Sequence, residues 1–143
     1  MKNLFVPYQL ALLAKQKSFD EECIYYYDAN GKLCNLVHYK KGLFVSLNNS
    51  DNKFTMAPMH QQMVDWLRDQ KRIIVCVELD QTSDMKFVIE LYRYLTIEEM
   101  NSPKYAKQET RFERLDVPLE KWGYYRDYYK ALNTAIEEAF KFI

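Results

Sequence analysis

The stretch that decides the fold reads RIIVCVELD at residues 72–80 and MKFVIELYRY at residues 85–94, with QTSD between them. Its first half has the two-residue apolar period of a half-buried strand, carried by Ile73, Val75, Val77 and Leu79. If residues 80–84 form the loop, Val77 faces Phe87 and Glu78 faces Lys86, and one face of the pair is apolar. The stretch therefore predicts a β-hairpin with one buried face.

Helices are predicted on both sides of this hairpin. Pro58 opens a helix to about residue 71, because apolar side chains recur there at helical spacing; they are Met59, Met63, Trp66 and Leu67. The last segment, residues 125–143, has one continuous apolar stripe and predicts a helix roughly 28 Å long at 1.5 Å per residue. A further helix is expected over residues 7–17, with Pro7 at its first position.

A second hairpin is predicted near the start of the chain. Residues 23–27 fit a pleated surface, the sequence DANG at residues 28–31 forms a turn, and residues 32–39 return. With Asp28 opposite Gly31, Tyr25 faces Cys34. A short third strand is expected over residues 43–47.

The predicted fold class is α+β, in one domain spanning residues 1–143. An antiparallel or mixed sheet of four to five strands carries helices packed on one face, including the long C-terminal helix. Residues 96–121 stay open, since residues 110–116 fit either a helix or an edge strand. The order of helix then hairpin in each half leaves a duplication as an alternative.

Composition excludes several classes of function. The chain has 143 residues, with 20 Lys and Arg against 20 Asp and Glu. Its glycines, Gly31, Gly42 and Gly123, lie too far apart for a phosphate-binding loop or a dinucleotide fingerprint, and no cofactor is expected. No run approaches the roughly 18 apolar residues of a membrane span. We expect a cytoplasmic protein, because three cysteines suit a reducing compartment better than a disulfide framework.

One set of residues has the composition of a structural zinc site. In the predicted register Cys23, Tyr25, Cys34 and His38 share one side of the first hairpin, and Cys76 could supply a fourth ligand. Zinc ligands normally come from short turns, however, whereas these cysteines lie within strands and behave as small hydrophobic residues. The sequence therefore favours no metal site.

Catalytic groups are equally sparse. His60 stands near the start of the second helix with apolar neighbours at helical spacing, so we expect a surface or capping histidine. The pairs Glu98–Glu99 and Glu137–Glu138 are adjacent and cannot share a helical face, so they are expected to be solvated. A small hydrolase or metal-binding protein remains a second alternative function.

Tyrosine is the residue type that points to binding. Two groups stand out, Tyr25, Tyr26 and Tyr27 in the first hairpin and Tyr124, Tyr125 and Tyr128 at the start of the last helix. Exposed tyrosines anchor protein interfaces, and rings on a sheet can also stack single-stranded bases. A neutral chain lacks the basic surface of a nucleic-acid binder. The expected partner is therefore an unknown protein or a second copy in a homodimer, and single-stranded nucleic-acid binding by the tyrosine hairpin is the alternative.

Two segments resemble small uncharacterised proteins of bacteriophages and integrated prophages. They are A-P-x-x-Q-x-x-x-D-W-L-R at residues 57–68 and Y-x-A-L-N-x-A-I-E-E-A at residues 129–139. The resemblance covers about a sixth of the chain and carries no catalytic residue onto these positions. It implies a mobile-element origin and a small intracellular accessory role. Because no catalytic constellation is visible and tyrosine is in excess, we expect a non-enzymatic accessory or interaction protein.

Overall fold

The computed structural model describes residues 2–35, 49, 54–82 and 86–143, and it has an α+β fold. The helices of this part are α1 (Tyr8–Gln16), α2 (His60–Lys71), α3 (Ile97–Met100), α4 (Leu119–Trp122) and α5 (Tyr128–Ala139). The strands are β1 (Tyr25–Tyr27), β2 (Leu33–Asn35), β3 (Thr55–Met56), β4 (Ile73–Asp80), β5 (Lys86–Tyr94) and β6 (Phe112–Arg114). The chain forms two compact units, residues 1–66 with Ile143 and residues 67–142, each described below by itself. The single domain stays a prediction.

The strands form two small sheets, not the one sheet of four to five strands that the sequence predicts. Each is three-stranded and antiparallel, with strand orders β2-β1-β3 and β4-β5-β6. The periodicity of a single strand reports which of its faces is buried, but it does not report which other strand lies beside it. The third strand expected at residues 43–47 lies outside the described residues.

The first hairpin differs from its predicted register by one residue. Cys34 lies opposite Tyr26, not Tyr25. The turn closes with Asp28 N–H donating to the Lys32 carbonyl, so the loop holds three residues and ends on Gly31 in the left-handed region. A two-residue loop of the preferred type would need Ala29 at positive φ, which its Cβ disfavours. A shift of one residue moves Cys34 to the opposite face from Tyr25.

The first unit packs α1 against its small sheet. Phe5, Ala11, Tyr27 and Ala57 form a buried cluster, and the Tyr27 hydroxyl donates to the Val6 carbonyl at 2.7 Å. This bond satisfies the polar end of an otherwise apolar ring. Helix α1 confirms its prediction within one residue at each end, with Pro7 at the N-cap.

The second hairpin has the predicted buried face but a register shifted by two residues. Val77 lies opposite Ile89 and Leu79 opposite Phe87, so Glu78 faces Val88 where Lys86 was expected. Strand β4 continues to Asp80, whose carboxylate accepts hydrogen bonds from Thr82 and turns the chain there. Because side chains alternate with a period of two, an even shift leaves every residue on its predicted face.

Helix α5 packs against β4 and β5. It begins at Tyr128, three residues later than predicted, because Asp127 caps it by accepting the Lys130 amide. Tyr125 instead exchanges backbone hydrogen bonds with Phe87. The helix has 12 residues and then tightens into a 3-10 turn, Phe140–Phe142, so it is shorter than expected.

Charged residues hold several parts of residues 96–121, the segment whose structure the apolar pattern does not predict. Thr96 and Glu99 form a capping box at α3, and Glu99 also binds Arg72 and Arg93. Arg93 binds Glu113 of β6, which in turn binds Lys104. Residues 112–114 are thus an edge strand, one of the two alternatives. The pKa of Glu99 is lowered to about 2, mainly by the hydrogen bond from the Thr96 amide and next by the hydrogen bond from Arg72.

Within the described part of the chain, no helix is long and apolar enough to cross a lipid bilayer.

Gly31 generates a stability prediction. Its φ is +74°, and a Cβ there would lie 2.8 Å from Cδ1 of Tyr8. We expect Gly31→Ala to lower the free energy of unfolding by about 1–3 kcal/mol, from left-handed backbone strain plus the clash. Chemical denaturation followed by circular dichroism measures the change.

Gly123→Ala is the matched control. A Cβ at Gly123 would meet its nearest atom, the Glu120 carbonyl oxygen, at an ordinary 3.6 Å, and its φ of −52° suits alanine. This substitution should leave the unfolding free energy unchanged or raise it by up to about 1 kcal/mol. Equal losses in the two variants would contradict the argument.

Candidate interaction surface

The second sheet has one buried face and one face bearing polar and aromatic side chains. Ile73, Ile89 and Leu91 are almost fully buried on the first face, and Phe87 on that face meets Tyr128 of α5 at a ring distance of 5.5 Å. The alternation of β5 therefore places Glu90, Tyr92 and Tyr94 on the opposite face. Arg114 and Phe112 of β6 lie directly across from Tyr92 and Tyr94 and share that face.

A polar cluster occupies the middle of this opposite face. Arg114 donates from Nη2 to Glu90 at 2.8 Å, and the Tyr92 hydroxyl donates to the second oxygen of the same carboxylate. The hydrogen bond from Tyr92, and after it the one from Arg114, hold the pKa of Glu90 below its usual value. In turn, the Glu90 carboxylate raises the pKa of Tyr92 to about 12. The guanidinium also lies 4.5 Å from the centre of the Trp122 ring, a cation–π contact.

An aromatic pair lies beside this cluster. The rings of Tyr94 and Phe112 meet edge to face at 5.6 Å, and they are 38% and 43% exposed. Arg111 donates to the Tyr94 hydroxyl at 3.1 Å. We define the aromatic–arginine face as Tyr92, Tyr94, Phe112, Arg114 and Trp122. Its members are held by neighbours on two strands and α4, so their orientation is set before any partner binds.

The predicted tyrosines of the first hairpin are mostly engaged within their own unit. Tyr27 is buried, with burial raising the pKa of its hydroxyl. The Tyr25 ring lies 4.6 Å from that of Phe5, and the Tyr26 ring 4.8 Å from that of Phe54. Tyr25 and Tyr26 keep partial exposure. The role of these three residues in an interface stays a prediction.

The second predicted group lies at the other end of the β4–β5 hairpin from β6. Tyr124 is 60% exposed, with the Lys86 ammonium 5.5 Å from its ring centre. Tyr128 is also exposed, whereas Tyr125 is half-buried and donates to the Lys121 carbonyl at 2.7 Å. Tyr25–Tyr27 belong to the first unit and Tyr124, Tyr125 and Tyr128 to the second, and the role of each group as an interface stays a prediction.

The residues considered for zinc do not form a cluster where the structure describes them. Among the residues that the structure describes, no three or more His, Cys, Asp and Glu side chains lie together in a way that could hold a metal ion. His38 lies outside the described residues. Cys34 lies opposite Tyr26, so it is on the other face of the hairpin from Tyr25, and Cys23 lies outside β1. Burial raises the pKa of the Cys23 thiol to about 12, and also raises that of Cys76. Both favour the protonated thiol over the thiolate that binds zinc.

The structure corrects three expectations about polar residues. His60, expected at the surface or as a cap, is buried at the first turn of α2, so it is not a surface histidine. Glu138 is buried too, and both of its carboxylate oxygens accept from Lys141 at 2.7 Å, three residues along the helix. Glu99 is not merely solvated, since two arginines bind it.

The sequence analysis does not predict the aromatic–arginine face. A signal was present in β5, where the alternation that buries Ile89 and Leu91 places Tyr92 and Tyr94 on the other face. The contribution of β6 could not be found in this way, because a strand of three residues has too few positions to show a period. Trp122 gives no signal either, since it comes from a four-residue helix.

Comparison of the chain with family models, curated proteins and solved structures finds no match. The resemblance to phage proteins therefore stays a prediction.

The Tyr92–Glu90 bond makes a testable prediction about ionisation. The pKa of Tyr92 is raised from 10.0 to about 12 chiefly by the Glu90 carboxylate. The stability that this bond contributes is present below pH 10 and is lost as pH rises toward 12. We expect the absorbance titration of wild type minus Tyr92→Phe, followed at the phenolate band, to show one tyrosine with a midpoint near 12.

Glu90→Gln is the companion variant. Without the carboxylate, the same difference titration, made against the Glu90→Gln/Tyr92→Phe double variant, should return toward a midpoint of 10.0. An unchanged midpoint would show that Glu90 does not raise the pKa of Tyr92.

Proposed function

We propose that the protein is a non-enzymatic interaction module that binds a protein partner through the aromatic–arginine face. The observation that carries the proposal is the exposed Tyr94–Phe112 ring pair beside Arg114 and Trp122 on one sheet face. Tyrosine, tryptophan and arginine are the residue types that dominate binding energy at protein interfaces.

The construction of the face supports this proposal. Binding costs free energy for every side chain that becomes ordered, about 0.5–1.5 kcal/mol for each flexible one. Here Arg114 is already oriented by Glu90 and Trp122, and Tyr94 by Phe112 and Arg111. These side chains therefore lose little further conformational freedom when a partner binds.

The charges of the face indicate the chemistry of the partner. Glu90 neutralises Arg114, so the centre of the face is close to neutral and suits apolar side chains. Arg111 is exposed at the rim. We expect the partner to place apolar side chains over Phe112 and Tyr94 and a carboxylate opposite Arg111, which would act mainly on the association rate and specificity.

A mobile-element origin fits this role as a further part of the proposal. Its support is the resemblance of residues 57–68 and 129–139 to small phage and prophage proteins. A short chain that binds a host or phage protein would act as an accessory factor, with the binding face as its working part.

Site-specific photo-crosslinking tests the proposal. A benzophenone amino acid replaces Phe112 in one variant and Glu137, an exposed residue of α5 on the other side of the sheet, in the control. In cells that naturally express the chain, we expect one discrete crosslinked protein from position 112 and none from 137. Crosslinking from both positions, from neither, or only to a second copy of this chain would overturn the proposal.

The captured protein then allows a quantitative check. Truncation of a central anchor typically costs about 2 kcal/mol or more, which is roughly a 30-fold loss of affinity. We expect Phe112→Ala to weaken binding by at least tenfold in titration calorimetry, and Glu137→Ala to change it less than twofold.

A second candidate function is single-stranded nucleic-acid binding. The observation that favours it is again the pair of exposed rings on a sheet face, because such rings can stack bases. The carboxylate of Glu90 in the middle of the face opposes it, since a nucleic-acid groove needs unpaired positive charge along the phosphates.

Fluorescence titration separates the two functions. Stacking on this face would quench Trp122, and we expect no quenching by mixed-sequence oligonucleotides at low salt. Quenching that is lost in Tyr94→Ala/Phe112→Ala and falls with added salt would instead favour nucleic-acid binding.

A further inference from the structure

A cavity of about 540 Å³ lies in the first unit. One side is formed by Tyr8, Leu12 and Lys15, which share a face of α1 because they are spaced by four and three residues. The other side includes the end of β1, the turn after it and Thr55 of β3. Sites for small organic ligands have volumes of roughly 300–1,000 Å³ and mostly apolar walls. The cavity therefore has the size of such a site.

Two aromatic rings line the cavity, and contacts within the unit hold both of them. Tyr8 and Tyr27 meet edge to face with ring centres 5.4 Å apart, and the Tyr27 hydroxyl donates to the Val6 carbonyl. The Tyr8 ring packs directly against the backbone of Gly31, where a Cβ would lie 2.8 Å from Cδ1 of the ring. Because aromatic rings attract cations as well as apolar groups, these walls suit the body of an organic cation.

Two oxygen atoms of the lining residues are left without a hydrogen bond. Asp28 Oδ1 accepts from the amides of Asn30 and Lys32 at 2.8 and 3.0 Å, but Oδ2 accepts from none of the described residues. The Thr55 hydroxyl likewise has no partner within the described part of the chain, although Thr55 is only 6% exposed. A buried hydroxyl without a partner costs free energy. A ligand that donates hydrogen bonds into the cavity would remove that cost.

The cavity is also lined by one ammonium group, which the protein itself engages. Lys15 Nζ donates to the Phe54 carbonyl at 2.6 Å. Asp28, by contrast, forms no ion pair with Lys15 or with any other cation that the structure describes. The carboxylate therefore keeps its negative charge for a ligand, and like-charge repulsion at Asp28 disfavours an anion.

We propose that this cavity binds a small primary amine in its ammonium form. The ammonium group donates to Asp28 Oδ2 and to the Thr55 hydroxyl, and the apolar body of the ligand lies against Tyr8, Leu12 and Tyr27. A hydrogen bond between two charged groups is roughly twice as strong as a neutral one, so Asp28 supplies most of the selectivity. A quaternary ammonium ion has no N–H to donate, and a carboxylate ligand has the wrong charge.

The proposal is independent of the aromatic–arginine face. The cavity belongs to the first unit, whereas that face belongs to the second. Phe112→Ala should therefore leave amine binding unchanged, and failure of one proposal does not decide the other.

Titrations followed by two-dimensional NMR of the full, nitrogen-labelled chain test the ligand class. The probes are hexylamine, phenethylamine and tryptamine at neutral pH, where primary amines are protonated. We expect at least one of them to shift the amide signals of Ala29, Asn30 and Lys32 saturably, with a dissociation constant in the millimolar range or below.

Matched probes of other charge are the controls. Hexanoate, phenylpropionate, indolepropionate and the quaternary trimethylphenethylammonium ion should bind at least about tenfold more weakly than the tightest amine. Carboxylates that bind as tightly as the amines would overturn the proposal. So would the lack of a saturable shift with all three amines up to tens of millimolar.

Asp28→Asn tests the carboxylate without removing the turn. Asparagine keeps the Oδ1 acceptor for the amides of Asn30 and Lys32 but carries no charge. We expect the affinity for the tightest amine to fall at least about tenfold. Asp20→Asn is the matched control, because Asp20 is exposed and lies outside the cavity lining, and it should change the affinity less than twofold. Equal losses in the two variants, or none in Asp28→Asn, would contradict the proposal.

Thr55→Val provides a second test in case Asp28→Asn folds poorly. Valine keeps the branched shape and removes a hydroxyl that bonds to none of the described residues, so the unfolding free energy without ligand should not fall. The affinity for the amine should nevertheless drop by about two- to tenfold. An affinity equal to that of wild type would exclude the proposed position of the ammonium group.

Discussion

The pairing of β4 with β5 is the constraint on which the second unit depends. Val77 opposite Ile89 fixes the register of an eight-residue ladder, and with it the face that α5 covers. A slip of one residue would turn Ile89 and Leu91 outward and bring Glu90 into the core, which the cost of burying an unpaired carboxylate forbids. The observed shift of two residues from the simplest register leaves each side chain on the same face.

The same alternation assigns separate roles to odd-numbered and even-numbered positions of this hairpin. Odd-numbered side chains such as Ile73, Ile89 and Leu91 form the buried face, while Glu90, Tyr92 and Tyr94 lie on the other. In the backbone of β4 the N–H and C=O groups of the odd-numbered residues point away from β5. The hairpin therefore separates the side chains that form the core from those that form the aromatic–arginine face.

Charge explains how the short elements after β5 are held. The chain is neutral, and Glu99 and Glu113 alternate with arginine and lysine in a connected series from Arg72 to Lys104. Single exposed ion pairs contribute little, but a series linked to a capping box and to the buried Tyr105 hydroxyl fixes several geometries together. Such a network joins residues far apart in sequence and has no local period, so residues 96–121 could not be predicted from the pattern of apolar residues.

The amino-acid sequence by itself determined the longer elements, the buried face of the β4–β5 hairpin and the absence of glycine-rich phosphate loops. These follow from local periodicity and from residue types, which need no knowledge of distant contacts. The tertiary structure decided the division into two three-stranded sheets, the three-residue turn at Gly31 and the meeting of Tyr94 with Phe112. Each depends on which segments lie side by side, because a strand's own pattern specifies its buried face but leaves its neighbour to the packing of the whole unit.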